Sequence, residues 1–543
     1  MRLRNNCVNC GAIKIKIVRK IAAFFMAAVI CIGFCGCKTK DMNKIFKYDI
    51  AENPATLDPQ QADDSISNTV IKNVFLGLLR INADGEIVNG AASEYSVSED
   101  GLVYNFKLRE DIYWVSVNKF ETQCTALDFV YGFKRLFLAE TQAPRAPEYY
   151  CIKNSRQFTE NSSATLGVSA KSDFELEITL DHPNPRFSAL LAEPPAMPCC
   201  EEFFLDSQGK YGLSAKCTPS NGSFYVRNWS ADESLALTRN YRNAEALETC
   251  PSGLNFFIKD ENVHVKDFTD GNTHCIAVSN DDKERVTGKY NCVEFSSISC
   301  GLVFNSEFSL FQNGDFRKAM TLLADHEVIC GAIPEFKPSS GIVPDQVSVG
   351  GKNYRETVGG CTLSEYDPQK ARELFKSARP DLDLDLFTSA RVIVRSATAR
   401  TAASYILQEW QREFGFYCTV ETLNETDFES RLKDGDYEIA VVELSGKYNS
   451  PAAYLEPFLS GSIYNYGRFS DSDFEYLYES ANESADPVFS QNQFKAAEQY
   501  LIDRSAFLPL FSKNEYFFTP AKSSDIVYDP FSKTIDFSKA KMR

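Results

Sequence analysis

The sequence predicts a mixed α/β protein of more than one domain, on three observations. The chain has 543 residues, whereas a single hydrophobic core stops growing at about 250–300 residues. Segments that alternate apolar and polar residues, as half-buried strands do, lie between segments with apolar residues at helical spacing. Residues 381–423 place a strand pattern, a helix pattern and a second strand pattern in succession, as in a βαβ unit. No internal repeat or low-complexity segment interrupts the body.

The N-terminus has the pattern of an address. Arg2, Arg4, Lys14, Lys16, Arg19 and Lys20 precede IAAFFMAAVICIGF, residues 21–34. As a helix this run spans about 21 Å, short of the hydrocarbon core of about 30 Å. A basic stretch, a short apolar core and small residues mark a secretory signal. FCGCKTK sets Gly36 before Cys37 and Phe34 three residues before that cysteine, which resembles a bacterial lipobox with Phe in place of the usual Leu. The expectation is a signal peptide over 1–36, cleavage before Cys37, a lipid on its sulfur and a polar tether over 37–44.

The body follows in order. LVYNFKL (102–108) alternates as a strand. Thr125 and Asp128 have the spacing of a capping box and open a helix with Phe129, Val130, Phe133, Leu136 and Phe137 on its apolar face. Residues 224–238 form a hairpin pattern with SADE at the turn. Asn313 is placed to cap a helix bearing Phe316, Ala319, Met320 and Leu323. DLDLDLF (381–387) alternates as a strand. Ile406, Leu407, Trp410 and Phe414 then form a helix ended by Gly415, and YCTVETL (417–423) returns as a strand. A last helix around 494–502 precedes an apolar strand, FLPLF (507–511).

Composition narrows the function classes. The formal charge is −17, and the acidic body argues against a nucleic-acid partner. The 41 Phe and 25 Tyr supply large cores or an aromatic-lined cleft. Of 17 cysteines, those at 7, 10, 31 and 35 leave with the signal. Those from Cys124 to Cys418 are able to pair in an exported protein, but no connectivity follows from sequence. The four histidines show no metal-ligand spacing, and HExxH, GxSxG and the phosphate-binding loop are missing. Ser-x-x-Lys recurs in unrelated contexts, at Ser116 and Ser430 among others, without its companion motifs. With these motifs missing, the expectation is that the chain is not an enzyme and needs no cofactor.

Six blocks carry a resemblance. NPATLDP (53–59), residues 73–114, TALDFVYGFKRL (125–136), SNGSFYVRNW (220–229), GLVFNSEFSLFQNGDFRKAM (301–320) and DYEIAVVELSGKYNSPAAYL (436–455) occur in the order found in the family 5 extracellular solute-binding proteins, the oligopeptide-binding type. The resemblance spans about residues 46–515. It departs from the family at Leu76, where Glu is preferred, at the VSV after Trp114, and at Asp325-His326-Glu327, where Asp-Arg-Glu is typical.

The resemblance implies a two-lobed, periplasmic-binding-protein-like fold of type II, in the three-domain oligopeptide-binding class. The main lobe is expected over 45–71, 186–290 and 505–543, an inserted domain over 72–185 and the second lobe over 291–504. It implies a lipid-anchored monomer at the outer face of the cell membrane that passes a small solute to an ABC permease. The alternative is a peptide- or cell-wall-fragment-sensing or chaperone-like lipoprotein without import. The implied ligand-binding residues are Asn53 and Ala55 on one wall, Tyr149 and Tyr150 nearby, and Leu444, Ser445, Lys447 and Tyr448 on the other. In peptide-binding members an aspartate at the position of Lys447 binds the peptide ammonium. Here the anion has become a cation, so the expected solute is peptide-like or another small solute that carries a neutral or anionic group at that point, such as a carboxylate, a blocked peptide or a sugar acid.

Overall fold

A computed structural model describes residues 44–249, 251–349 and 352–542. The leader, Cys37 and most of the tether lie outside the described residues. The first sheet has four strands in the order Ile45–Ile50, Gly253–Ile258, Ser234–Arg239, Phe224–Ser230. The opening strand runs parallel to its neighbour and the other pairs are antiparallel. The hairpin at 224–239 forms as expected, and Asp232 takes the turn's left-handed position at φ 61°. Aspartate tolerates that conformation because its short side chain bonds locally.

A second, wholly antiparallel sheet orders Ala92–Val97, Val103–Leu108, Glu175–Thr179 and Val168–Ser172. The helix Ala126–Phe137 packs beside it. Phe129, Phe133, Leu136 and Phe137 are buried, and Asp128 Oδ2 accepts the Thr125 amide at 2.7 Å. Arg135 leaves the same helix toward the opening loop. It meets both carboxylate oxygens of Asp58, at 3.0 and 2.5 Å, and Gln60 Oε1 at 2.7 Å. One continuous core runs through both sheets.

The third sheet has seven strands and is organised by two long ones. Tyr290–Phe304 and Leu508–Pro520 pair antiparallel along most of their length. Ile276–Ser279 joins at one end. At the other, Ile439–Ser445 joins, followed by Ala390–Val394 and Cys418–Thr422 in parallel. The ladder slips between Ser296 and Ile298. On one side of the slip Phe295 packs on the first core; on the other Ile298 packs on a separate core. The two strands therefore cross from one lobe to the other, and Ser297 marks the hinge. Its carbonyl accepts the Tyr454 hydroxyl at 2.5 Å and its hydroxyl donates to Glu515 at 3.2 Å.

The second lobe buries its sheet on both faces. Val392, Ile393 and Val394 are each 0% exposed, as β-branched strands in parallel sheets are. The helix Ala397–Phe414 covers one face and ends at Gly415, in the left-handed conformation at φ 69°. Asn313 caps its helix by accepting the Phe316 amide at 3.0 Å. The βαβ unit is present, but its first strand is Ala390–Val394, not 381–387. DLDLDLF instead forms 3-10 turns, Arg379–Asp381 and Leu384–Thr388, with Asp383 accepting the Asp385 amide at 3.1 Å. Aspartate at alternate positions favours turns over strands, and the β-branched ARVIV that follows takes the sheet position. The described cysteines from Cys124 to Cys418 are free thiols.

Candidate functional site

Open α/β sheets bind ligands outside the carboxyl ends of their strands. In the second lobe the strand Ile439–Ser445 ends in the turn LSGKYNSP. Leu444 packs into the core at 6% exposure, while Ser445 points out. At Gly446 a Cβ would lie 2.6 Å from the ring of Tyr454, so a side chain there would displace the tyrosine that bonds the hinge. Lys447 is exposed. Its ammonium donates to the Tyr464 hydroxyl at 2.9 Å and lies 4.5 Å from that ring's centroid. Among the described residues it has no ion-pair partner. Tyr448 donates to Glu456 Oε2 at 3.2 Å.

These residues border a cavity of about 240 Å³, lined in part by Arg395, Glu443, Lys447, Tyr448 and Tyr464. Arg395 follows the strand Ala390–Val394 directly. Burial works to raise the pKa of Glu443, but Arg395 and Lys513 outweigh it and hold the carboxyl below its usual range. This acid is therefore already neutralised by Arg395 and Lys513, whereas Lys447 has no carboxylate partner among the described residues.

The main-lobe wall starts where the strand Ile45–Ile50 ends. Asn53 Oδ1 accepts the Trp229 indole at 2.9 Å, and the Ala55 amide donates to Ser67 Oγ at 3.0 Å. Beside them, at the carboxyl ends of Ile45–Ile50 and Ile276–Ser279, lies a cavity of about 370 Å³ bordered by Asp49, His264, Glu515 and Lys533. Asp49 is 5% exposed and ion-paired to Lys259 at 3.2 Å. Burial raises its pKa more than Lys259 lowers it.

Tyr149 and Tyr150 separate. Tyr149 is 0% exposed and donates to the Leu190 carbonyl at 2.9 Å, a packing role in this conformation. Tyr150 is half-buried and lines a third cavity, of about 620 Å³, whose far wall holds Asn482 and Glu483 of the second lobe. Arg186 contacts one lining residue of this cavity and one of the Lys447 cavity. Its guanidinium lies 3.0 Å from the centroid of the Tyr448 ring and bonds Glu148 at 2.9 Å. Leu444, Ser445, Lys447 and Tyr448 thus share one cavity wall; Asn53 and Ala55 stand on the other lobe, and Tyr150 in the third cavity.

Sequence reasoning missed Arg186, Arg395 and Tyr464. Arg395 was legible only with the preceding strand in its true place. Tyr464 and Arg186 carry no local signal, because each meets the 447–448 turn through the fold.

A family model described as bacterial extracellular solute-binding proteins, family 5 Middle, matches residues 86–466. A dipeptide-binding protein of Lactococcus lactis subsp. cremoris (strain MG1363) is 26% identical over 524 residues, covering 91% of this chain and 93% of that protein. The probable deoxycholate-binding periplasmic protein YgiS of Escherichia coli (strain K12) is 23% identical, covering 86% and 88%. The ABC transporter substrate-binding protein CtaP from Listeria monocytogenes, a solved structure, superposes with a TM-score of 0.75 at 18% identity, over 92% of this chain and all of that one, a likeness of fold. With the matched segment spanning most of the chain and two lobes joined by hinge strands, the protein belongs to the bacterial extracellular solute-binding proteins of family 5, which bind their solutes and are not enzymes.

Proposed function

We propose that this chain is the lipid-tethered receptor of an ABC importer. It captures a peptide-like or other small solute between the main lobe and the second lobe, flanked by an inserted domain, and delivers it to a membrane permease as a monomer. Asn53 and Ala55 face Leu444, Ser445, Lys447 and Tyr448 across the cleft, with Tyr150 at its margin. Cys37 carries the lipid. The names of the relatives support a range of solutes that includes an anion, deoxycholate.

The observation that carries the reading is Lys447, an exposed ammonium whose hydrogen-bond partner among the described residues is a tyrosine hydroxyl and not a carboxylate. A free peptide ammonium about 4 Å away would be repelled by about 4 kcal/mol at a partly buried site and about 1 kcal/mol in water. Lys447 is exposed, so the lower figure applies. An aspartate there would attract by the same amount. The solute therefore presents a neutral or anionic group to Lys447: a blocked amino end, a carboxylate or a sugar acid.

Calorimetry of the wild type and Lys447→Asp against a randomised tripeptide pool, free-amine and N-acetylated, tests this. The wild type is expected to prefer the N-acetyl pool by about fivefold, the equivalent of 1 kcal/mol, and the variant to reverse the preference. Tight wild-type binding of the free-amine pool that the substitution leaves unchanged would reject the role of Lys447.

A further inference from the structure

The largest of the three cavities, about 620 Å³, is not one of the walls assigned to the solute. It opens between the inserted part and the second lobe. Tyr150, Arg156, Gln157 and His182 stand on one side, Asn482 and Glu483 on the other. Arg186 bonds Glu148, which lines the large cavity, and covers Tyr448, which lines the small one. Arg186 thus links the linings of the two spaces.

The lining restricts what fits. It offers little apolar surface: Pro147, Cys151 and Tyr150, whose ring is already engaged by Phe137 and Arg156. The side chains of Gln157, His182, Asn482 and Glu483 have no hydrogen-bond or ion-pair partner among the described residues, and Arg156 has no carboxylate partner there. Carboxamides supply donors and acceptors together, the carboxylate accepts and the guanidinium donates. A hydroxyl group, which donates once and accepts twice, suits such a mixture. An alkyl or aryl group does not, since it would cover unpartnered polar atoms.

An aspartate at position 447 would clamp an ammonium and end the solute there. Lys447 sets no such end, and the next space along is polar and unfilled by side chains. We propose that this chamber receives a polyhydroxylated acyl group on the amino end of a blocked peptide, which extends past Arg186 and Tyr448. The proposal rests on the reading that Lys447 faces a blocked amino end.

The test adds a third form of the same tripeptide pool, N-gluconoylated, to the free-amine and N-acetyl forms, with the mature chain as receptor. The N-gluconoyl pool is expected to bind about tenfold tighter than the N-acetyl pool, the gain of two hydrogen bonds of ordinary net strength. Gln157→Ala combined with Asn482→Ala should abolish that gain and leave N-acetyl binding unchanged. Gln157 is exposed and Asn482 ends the helix Ser472–Asn482, so the fold is not at stake. Equal binding of the two blocked pools, or a gain that survives the double substitution, would overturn the chamber and leave the Lys447 reading standing. Tightest binding of the free-amine pool, or no binding of any pool, would overturn both.

Discussion

Arg135 and Asp58 show what a single pair decides. Both are buried, and the arginine forks onto both oxygens of the carboxylate. Breaking a buried pair costs more than the pair itself contributes, because one charge is left without a partner. Asp58→Asn is therefore expected to destabilise the protein by about 3–5 kcal/mol in urea unfolding. Adding Arg135→Met should recover part of the loss, since the stranded charge is then gone. A single substitution that leaves the unfolding midpoint in place would show that the pair is not the link between the opening loop and the helix Ala126–Phe137. Each partner sits in a block that the sequence singled out, NPATLDP and TALDFVYGFKRL. Nothing in either block names the other, since the contact spans 77 positions.

Elements were legible where local chemistry agreed with the period. The capped helices at Thr125 and Asn313, the hairpin at 224–239 and the helix ended by Gly415 formed where expected. DLDLDLF failed because alternation alone cannot distinguish a strand from turns whose aspartates bond the backbone. The two hinge strands carry the mechanical consequence. At Ser297 the ladder slips, and Tyr454 and Glu515 hold the irregular residue from the second lobe and from the paired strand. Bending there needs little loss of sheet pairing on either side. Saturation with the tripeptide pool that binds best is expected to lower the radius of gyration in small-angle scattering. No compaction with a tightly bound pool would count against hinge closure.

At the scale of the whole molecule, capture and location have to work together. A receptor that closes on its solute at the membrane surface is useful only if it stays there, which is the proposed task of the lipid on Cys37. No described helix is long and apolar enough to cross a membrane. One acyl chain holds a protein marginally, whereas two chains hold it stably, so a diacylglyceryl cysteine suits the task. Cys37→Ser is accordingly expected to leave the precursor unprocessed or to release the protein from the membrane fraction. Normal processing with unchanged membrane retention would refute the anchor.

By itself the sequence determined the family and, with it, the two-lobed fold, because collinear blocks and local capping, turn and period signals depend on residues near one another in the chain. It also placed Lys447 in the turn after a buried strand. Only the tertiary structure decided which charges are neutralised. Glu443 is held by Arg395 and Lys513, Arg186 is stacked on Tyr448, and Lys447 rests on Tyr464 without a carboxylate among the described residues. Those partners come from different strands, lobes and loops. A side chain's electrostatic surroundings are fixed by where the chain's path brings other groups to it, a property of the packed molecule that no local pattern carries.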